Sequence, residues 1–230
     1  SISIGHLYNL RNSVGYRNHR VVLTKTQPTK NTQIGVRKAP APEGRPGFIR
    51  IDSVHQGDLD GIKGLYHINA VDCVTQWQVV ASVQAISEAH LLSVIEEMLA
   101  QFPFEILGFH ADNGSEYVNY KVARLLDKLR IEFTRSRPRH SNDNGLAETK
   151  NGAVVRKEFG YVHIAQRHAT LFNIYCAEYL NPFLNFHRPC LFATELADPK
   201  KPGRIKRVYR PRDAMTPLDK LASLPNAASF

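Results

Sequence analysis

The order of strand-like and helix-like segments in the middle of the chain constrains its fold more than any other feature. Between residues 48 and 83, short turns separate three segments of strand length, and the first turn contains Gly57, Gly61 and Gly64. Successive strands with short turns are typical of an antiparallel meander. Four helical apolar patterns and two further strand patterns follow. Predicted strands lie at 48–54, 65–74, 77–83, 106–112 and 131–137, and predicted helices at 88–102, 117–129, 146–159 and 164–180.

The resulting order, βββ-α-β-α-β-α-α, predicts the ribonuclease H-like fold, an α/β fold with a mixed five-stranded sheet. Hydrophobic residues make up 43% of the 230 residues, which is enough to build a core. In the last predicted helix, we expect a buried stripe formed by Ile164, Leu171, Phe172, Tyr175 and Tyr179.

The composition changes on both sides of this α/β block. We predict a basic, proline-rich linker at 21–47, a core at 48–192 and a basic C-terminal arm at 193–230. Residues 1–20 carry a short amphipathic pattern that Ser1 or Ser3 could cap. This segment is either the end of a helix-turn-helix or a helix that packs on the core. Because the chain begins with Ser1, we expect a processed product or a part of a longer protein.

The positive charge is concentrated outside the core. The formal net charge is +9, and residues 1–42 and 200–212 each contain seven basic residues and no acidic residue. Basic segments without acids are typical of contacts with nucleic acid phosphates, which give salt-dependent affinity. The alternative is that these segments only keep the chain in solution.

Several classes of protein are excluded or disfavoured. The sequence has no run of eighteen apolar residues, which excludes a membrane-spanning helix, and no signal-peptide pattern at its start. Cys73, Cys176 and Cys190 are far apart and form no CxxC pair, which argues against a zinc knuckle or a disulfide scaffold. A reducing, cytoplasmic location fits this pattern best.

Three acidic residues stand out by their positions in the predicted elements. Asp52 lies in the first strand, Asp112 ends the fourth strand, and Glu148 lies in the first turns of the helix after the fifth strand. Ligands collect at the carboxyl ends of parallel strands. Asp72 also lies within a strand, but the strand order assigns it to the second strand, so Asp52 is the preferred first acid.

Three converging carboxylates repel one another unless a cation neutralises them. Oxygen ligands select hard cations, so the expected cofactor is Mg²⁺ or Mn²⁺. Two such ions would stabilise the attacking and leaving oxygens during in-line displacement at a phosphodiester.

Motifs surround the three acids, and a further motif follows later in the chain. They are Ile51-Asp52-Ser53, His110-Ala111-Asp112-Asn113-Gly114-Ser115-Glu116-Tyr117, Ser141-Asn142-Asp143-Asn144-Gly145-Leu146-Ala147-Glu148-Thr149-Lys150-Asn151-Gly152, and Asn185-Phe186-His187-Arg188-Pro189. With these motifs the sequence resembles the integrase-like catalytic core of DDE transposases from bacterial insertion sequences, which are relatives of retroviral integrases. The resemblance covers roughly residues 45–192. It implies that Asp52, Asp112 and Glu148 form a metal-binding catalytic triad, that two Mg²⁺ ions are bound, and that the protein acts at the bacterial nucleoid.

The sequence departs from the retroviral pattern after Glu148. The positions four and seven residues further on, where the relatives have DNA-binding lysines, are Gly152 and Val155. Lys150 and Lys157 are seven residues apart and are expected to share another face of the helix. They are therefore candidate DNA contacts.

Further candidate DNA contacts come from the end of the fifth strand and from the C-terminal arm. Alternation along a strand would place Arg135, Arg137 and Arg139 on one side, although Pro138 can interrupt it. The alternative is a solvated strand edge. His110 is either a metal or phosphate contact or, preferably, a buried histidine with its hydrogen bonds satisfied. The full set of candidate DNA contacts is Arg135, Arg137, Arg139, His140, Lys150, Lys157, Arg204, Lys206 and Arg207.

These features predict a transposase or integrase that hydrolyses a phosphodiester at an element end and joins the 3′-hydroxyl to target DNA. The expected partner is double-stranded DNA, and work on two ends implies a homo-oligomer, at least a dimer. One alternative is a metal-dependent nuclease that does not join strands. The other is a DNA-binding module that has lost its chemistry.

Overall fold

A computed structural model describes residues 3–19, 34–113, 117–197 and 203–227. Parts of three predicted features lie outside these residues: the linker at 20–33, the turn and helix start at Gly114, Ser115 and Glu116, and the basic pair Lys200 and Lys201. The strands are β1 (Val36–Arg37), β2 (Phe48–His55), β3 (Asp58–Leu59), β4 (Ile62–Lys63), β5 (Tyr66–Asp72), β6 (Gln78–Val83), β7 (Gly108–Ala111), β8 (Glu132–Arg135), β9 (Ala193–Ala197) and β10 (Ile205–Tyr209). The α-helices are α1 (Ile4–Asn12), α2 (Val14–His19), α3 (Glu88–Leu99), α4 (Tyr120–Lys128), α5 (Gly145–Lys150), α6 (Arg156–Phe159), α7 (Ala169–Tyr175) and α8 (Pro217–Ala222).

The main sheet has the strand order β1-β8-β7-β2-β5-β6. Strands β2, β5 and β6 pair antiparallel, whereas β7 lies parallel to both β2 and β8. A meander followed by two parallel strands on the far side of its first strand is the ribonuclease H-like topology. The predicted fold class is therefore confirmed.

The sheet contains one strand more than the five that were predicted. Strand β1 lies in the predicted linker and pairs parallel with β8, where Val36 is opposite Thr134. Ile34, just before β1, is only 4% exposed. The end of the linker segment is therefore part of the sheet, because the open edge of β8 offers it backbone hydrogen bonds.

Helices cover both faces of the sheet. On one face, α3 and α4 pack on apolar side chains that include Ile49 and Ile51 of β2. On the other face, a second apolar cluster joins Val54 of β2 to the segments after α5. Because both faces are covered, every residue of β5 and β6 is buried.

The helix predicted at 146–159 is divided in the structure. A π-helical turn at Asn151–Val155 separates α5 from α6. The segment ends at Gly160, whose φ of 69° lies in the left-handed region that favours glycine.

The buried stripe predicted for the next helix is wrong at three positions. Leu171 and Tyr179 are each 63% exposed, and Tyr175 is 37% exposed. The inward face consists instead of Ala169, Cys176, Leu180 and Leu184. Two π-helical turns, Cys176–Leu180 and Phe183–His187, change the helical phase, and the Tyr175 hydroxyl donates outward to Glu158.

The C-terminal segment returns to the core. After the β9–β10 hairpin, Cys190 and Met215 exchange backbone hydrogen bonds of 2.7 and 3.1 Å. Helix α8 begins with a capping box between Thr216 and Asp219, and its Leu221 is 7% exposed within the main apolar cluster. Within residues 203–227, the predicted arm is thus partly anchored to the α/β block.

Helix α1 differs from the C-terminal segment because its residues are exposed. Its N-cap is Ser3, whose hydroxyl accepts a hydrogen bond from the His6 amide at 3.2 Å. The described residues of α1 are all exposed, including its apolar side chains. The alternative of a helix packed on the core is therefore not supported, and the helix-turn-helix alternative stays a prediction.

No helix in the described part of the chain is both long enough and apolar enough to span a membrane.

Candidate active site

Two of the three predicted acids lie on adjacent strands where the parallel pairing of β2 and β7 ends. Ile51 of β2 is paired with Ala111, the last residue of β7. The next residues are Asp52, which lies within β2, and Asp112, which follows β7. Adjacent strands are about 4.8 Å apart. Both acidic residues are partly buried. The fold therefore places Asp52 and Asp112, which are 60 residues apart in sequence, at neighbouring positions on adjacent strands.

The sheet orients Asp52 toward the helices that follow β8. Successive side chains of a strand point to opposite faces. Ile51 belongs to the cluster beneath α3 and α4, whereas Val54 belongs to the cluster on the other face. Asp52 has the parity of Val54 and so lies on the face that α5 covers.

Helix α5 brings Glu148 to this edge of the sheet. Asn144, before α5, donates from Nδ2 to the Ile51 carbonyl at 3.0 Å. Asn69 of β5 donates from Nδ2 to the carbonyl of Ala147, the residue before Glu148, at 3.2 Å. These two hydrogen bonds attach the start of α5 to the strands that flank Asp52, while the Glu148 side chain remains exposed.

A direct contact links the Asp52 carboxylate to the same helical segment. Asn151 donates from Nδ2 to Asp52 Oδ2 at 2.8 Å, and the backbone amide of Ser53 donates to Asp52 Oδ1 at 2.8 Å. Asn151 is three residues after Glu148, so the two side chains are neighbours on one helix face. Both oxygens of Asp52 are thus held in place by donors.

The donor set fits a hard divalent cation by its chemistry, because it consists of carboxylate oxygens at the end of the parallel strands. In this structure, however, the side chains of the three acids are not grouped closely enough to form a complete metal site. Among the residues that the structure describes, no three His, Cys, Asp or Glu side chains are close enough to hold a metal ion.

The loop that leads into α5 is fixed by an ion pair. Arg137 donates from Nε and Nη2 to the two oxygens of Asp143, each at 2.9 Å, and its backbone amide donates at 3.0 Å. The Asp143 side chain is 6% exposed. The hydrogen bonds from Arg137 hold the pKa of the Asp143 carboxyl well below its usual range.

The predicted row of three arginines is wrong. Strand β8 ends at Arg135, which is 1% exposed and so does not face solvent where DNA could approach. Arg137 is engaged by Asp143, and Arg139 lies in a turn with a φ of 62°. The alternation expected along a strand fails because the strand stops before Pro138. Arg139 and His140 remain exposed.

The predicted lysine pair is not on one accessible face. Lys150 is 6% exposed and donates from Nζ to Cys190 Sγ at 3.0 Å. Lys157 is exposed. The π-helical turn between them shifts the helical phase by which they were expected to align. Of this pair, only Lys157 is accessible to DNA.

The basic residues of the C-terminal hairpin are accessible. Arg204, Lys206 and Arg207 are exposed. Arg207 donates from Nε to Glu195 Oε1 across the β9–β10 hairpin at 3.1 Å, but both side chains remain more than half exposed.

His110 and Asp72 have structural roles. His110 is 2% exposed, and its ring nitrogens contact the hydroxyls of Thr134 at 2.9 Å and Ser136 at 3.3 Å. Burial lowers the pKa of His110 to about 4, so it is neutral at pH 7. Asp72 lies in β5, as the strand order predicted, and accepts hydrogen bonds from Gly47, Val74 and Thr75.

Sequence reasoning assigned no role to three residues that organise the site: Asn69, Asn144 and Asn151. A signal was present for Asn69, because a polar residue in an otherwise apolar buried strand needs hydrogen-bond partners. Asn144 and Asn151 lie within the motif around Glu148, but the sequence there does not indicate that their side-chain amides contact strand β2.

The middle of the chain is similar to known proteins. Residues 45–141 match the family model described as integrase core domain. The matched segment includes Asp52 and Asp112 and ends before Glu148. An uncharacterized protein, y4rM of Sinorhizobium fredii (strain NBRC 101917 / NGR234), is 29% identical over 126 residues, which are 54% of this chain and 36% of that relative. The chain therefore spans about a third of the length of this curated relative.

Solved structures of retroviral integrases are similar at low sequence identity. One is the HTLV-2 integrase catalytic core domain in complex with magnesium, in a dimeric form (15% identity, TM-score 0.46, 63% of this chain and 90% of that chain). Another is the catalytic core of BIV integrase (15% identity, TM-score 0.43, 62% of this chain and 85% of that chain). A third is the simian T-cell lymphotropic virus intasome in complex with a PP2A regulatory subunit (13% identity, TM-score 0.48, 81% of this chain and 62% of that chain). The fold assignment rests on the strand order and not on these scores.

Proposed function

Because residues 45–141 match an integrase core domain, we propose that this chain is a DDE-type transposase or integrase with Asp52, Asp112 and Glu148 as its catalytic acids. One observation carries the proposal. Asp52 and Asp112 directly follow the last paired residues of the parallel β2–β7 ladder, and Asn151 joins Asp52 to the helical segment that bears Glu148.

The three carboxylates would hold Mg²⁺ or Mn²⁺, and we expect two ions. Bound divalent ions activate a water or 3′-hydroxyl and stabilise the leaving oxygen of a phosphodiester. Asp52 within β2 and Asp112 just after β7 would supply carboxylate oxygens to the ions, and Ser53 and Asn151 orient Asp52. Glu148 lies on the exposed side of α5, so its side chain must turn toward the aspartates when metal and DNA bind.

The proposed substrate is double-stranded DNA, at the element ends and in the target. Arg139, His140 and Lys157 are exposed near the elements that carry the acids, and Arg204, Lys206 and Arg207 extend the basic surface on the hairpin. Each phosphate contact would add sequence-independent, salt-sensitive affinity. Action on two DNA ends implies at least a dimer, and the predicted cellular site is the cytoplasm, at the nucleoid.

The test is Mn²⁺-dependent nicking of supercoiled plasmid by the parent and by Asp112→Asn and Glu148→Gln. Glu97→Gln, an exposed residue of α3, is the matched control for replacing a carboxylate by an amide. We expect metal-dependent nicking by the parent and by the control and none by the two active-site variants. Unchanged nicking by Asp112→Asn would refute the catalytic assignment.

The nuclease alternative has the same acids and differs in its products. Incubation with a labelled oligonucleotide that carries an element end, together with plasmid, separates the two. Labelled strands longer than the input indicate joining, whereas shortened strands alone indicate a nuclease. Salt-sensitive DNA binding with neither product would favour the binding module.

A further inference from the structure

A chain of three side-chain amides, of which two are buried and Asn151 is partly buried, ends on the Asp52 carboxylate. Gln78 of β6 donates from Nε2 to Asn69 Oδ1 at 2.8 Å. Asn69 donates from Nδ2 to Asn151 Oδ1 at 2.9 Å, and Asn151 donates from Nδ2 to Asp52 Oδ2 at 2.8 Å. The three hydrogen bonds cross from the edge strand of the meander to the candidate active site, and all three donors point toward Asp52.

The direction of this chain is determined by a backbone group. Asn69 Nδ2 also contacts the Ala147 carbonyl at 3.2 Å, and a carbonyl can only accept. The amino group of Asn69 must therefore face α5, which leaves its oxygen for Gln78. Asn151 must then present its oxygen to Asn69 and its amino group to Asp52. The orientation that suits an ionised Asp52 follows from the position of Asn69.

Register and burial make the arrangement rigid. Asn69 is the cross-strand partner of Asp52 in the β2–β5 pair, so the two side chains lie on the same face of the sheet. Asn69 is 0% exposed and Gln78 is 1% exposed. Water does not compete for these amides, and an unmade bond in such a place is costly. The buried part of the chain, Gln78 and Asn69, is therefore held in one hydrogen-bonding pattern, and Asn69 sets the orientation of the partly buried Asn151.

We propose that Asn69 is a positioning residue of the metal site, which acts through Asn151 to orient the Asp52 carboxylate and through Ala147 to place the start of the Glu148 helix. This inference rests on the proposed function, which assigns Asp52 to the metal site. Without Asn69, Asn151 loses the partner that fixes its amide orientation, and it can turn its oxygen toward Asp52. Loss of groups that orient metal ligands lowers metal affinity by about 10- to 100-fold.

The alternative is that Asn69 only stabilises the fold, and Asn181 provides the matched control. Asn181 is 4% exposed and also has three hydrogen bonds: it accepts from the Val80 amide and donates to the Val80 carbonyl and to Gln101 Oε1. None of these bonds involves the chain that ends on Asp52. Replacement of either asparagine by leucine removes a buried amide and leaves a side chain of similar size.

The experiment measures Mn²⁺ binding to the full chain without DNA, from the electron paramagnetic resonance signal of free Mn²⁺. The variants are Asn69→Leu, Asn69→Ser, Asn181→Leu and Asp52→Asn, and circular dichroism records the thermal unfolding of each. Asn69→Ser leaves space that water can fill, and it keeps the test valid if the leucine variant does not fold. We expect both Asn69 variants to raise the Mn²⁺ dissociation constant by about 10-fold or more, and Asn181→Leu to leave it within about 2-fold at a similar loss of thermal stability.

The outcomes separate this inference from the proposed function. If Asp52→Asn abolishes Mn²⁺ binding while the Asn69 variants bind like the parent, Asn69 is not a positioning residue and the metal site stands. If Asn181→Leu weakens binding as much as Asn69→Leu, the effect is one of general stability, which also overturns the inference. If Asp52→Asn binds Mn²⁺ as the parent does, or the parent binds none, both the metal site and the role of Asn69 are wrong.

Discussion

Replacement of Asp143 by asparagine should destabilise the loop that leads into the Glu148 helix. Asp143 accepts three N–H donors from Arg137, all between 2.9 and 3.0 Å, and its side chain is 6% exposed. Asparagine keeps the shape but turns one acceptor oxygen into a donor that faces Arg137. At least one hydrogen bond is lost, and the remaining ones no longer have a charged acceptor.

The magnitude follows from these hydrogen bonds. Hydrogen bonds to a charged group contribute about 1.5–3 kcal/mol. The Arg137 side chain is 43% exposed, so solvent screening reduces the effect. We expect Asp143→Asn to lower the free energy of unfolding by about 2 kcal/mol, which corresponds to a melting temperature about 4–8 °C lower for a chain of this size.

The pH dependence gives a sharper test than the magnitude. The pKa of Asp143 is depressed in the folded state, so its stabilising contribution is complete above the unfolded pKa, about 3.9, and is lost as the pH falls. Asp143→Asn has no carboxyl to titrate at this position. The difference in unfolding free energy between parent and variant should be constant above about pH 5 and should shrink below about pH 4.

Urea denaturation followed by circular dichroism at pH 7, 5, 4 and 3.5 measures this difference. Glu195→Gln is the control, because Glu195 forms an ion pair with Arg207 in which both side chains are more than half exposed. It should change the unfolding free energy by no more than about 0.5 kcal/mol. A difference for Asp143→Asn that is below about 0.5 kcal/mol, or that does not change with pH, would refute the reasoning.

Three further predictions concern the second apolar cluster, which contains Val54 and Leu180, the basic residues of the β9–β10 hairpin, and the metal requirement. Leu180→Ala should lower the free energy of unfolding by about 2–5 kcal/mol, because Leu180 is 4% exposed. Leu171→Ala should lower it by less than about 0.5 kcal/mol. Equal losses of unfolding free energy in urea denaturation would contradict the packing described. Replacement of Arg204, Lys206 and Arg207 by alanine should reduce the slope of log K against log[salt] for duplex DNA by about 0.9 for each phosphate that the hairpin no longer neutralises, and an unchanged slope would exclude the hairpin from the interface. EDTA should abolish plasmid nicking, and excess Mn²⁺ should restore it; nicking that persists in EDTA would argue against a metal-dependent site.

The strand order could be predicted because local signals were strong and agreed with one another. Alternation in β2, glycines in the following turn and apolar runs in β5 and β6 all favoured a meander. Strand β1 was missed because it has two residues and exists only through pairing with β8. Such a strand is a product of tertiary contact, which a local pattern does not contain.

The buried stripe after residue 164 could not be predicted from ideal helical spacing. Tyr175 and Tyr179 have the spacing of a buried stripe, but their rings stack on each other outside the core, with centroids 6.1 Å apart. Tyrosine serves on either side of an interface with water because it has an apolar ring and a polar hydroxyl. The π-helical turn at Cys176–Leu180 then changes the spacing on which the prediction depended.

The neighbouring positions of Asp52 and Asp112 could be predicted, whereas the contacts of the supporting amides could not. Asp52 and Asp112 follow strand positions whose pairing the topology dictates. The bond from Asn151 to Asp52 joins residues 99 positions apart and depends on how α5 packs on β2 and β5. The arginines at 135, 137 and 139 were misassigned for a related reason, because burial of Arg135 and the pairing of Arg137 with Asp143 arise only in the folded chain.

The most direct test of the central claim is the anomalous diffraction of crystals soaked in MnCl₂. The account predicts anomalous density within about 2.1 Å of carboxylate oxygens of Asp52 and Asp112, with Glu148 turned toward the same density, and no such density in crystals of Asp52→Asn. Manganese bound only at other residues, in crystals of a protein that nicks plasmid in solution, would contradict it.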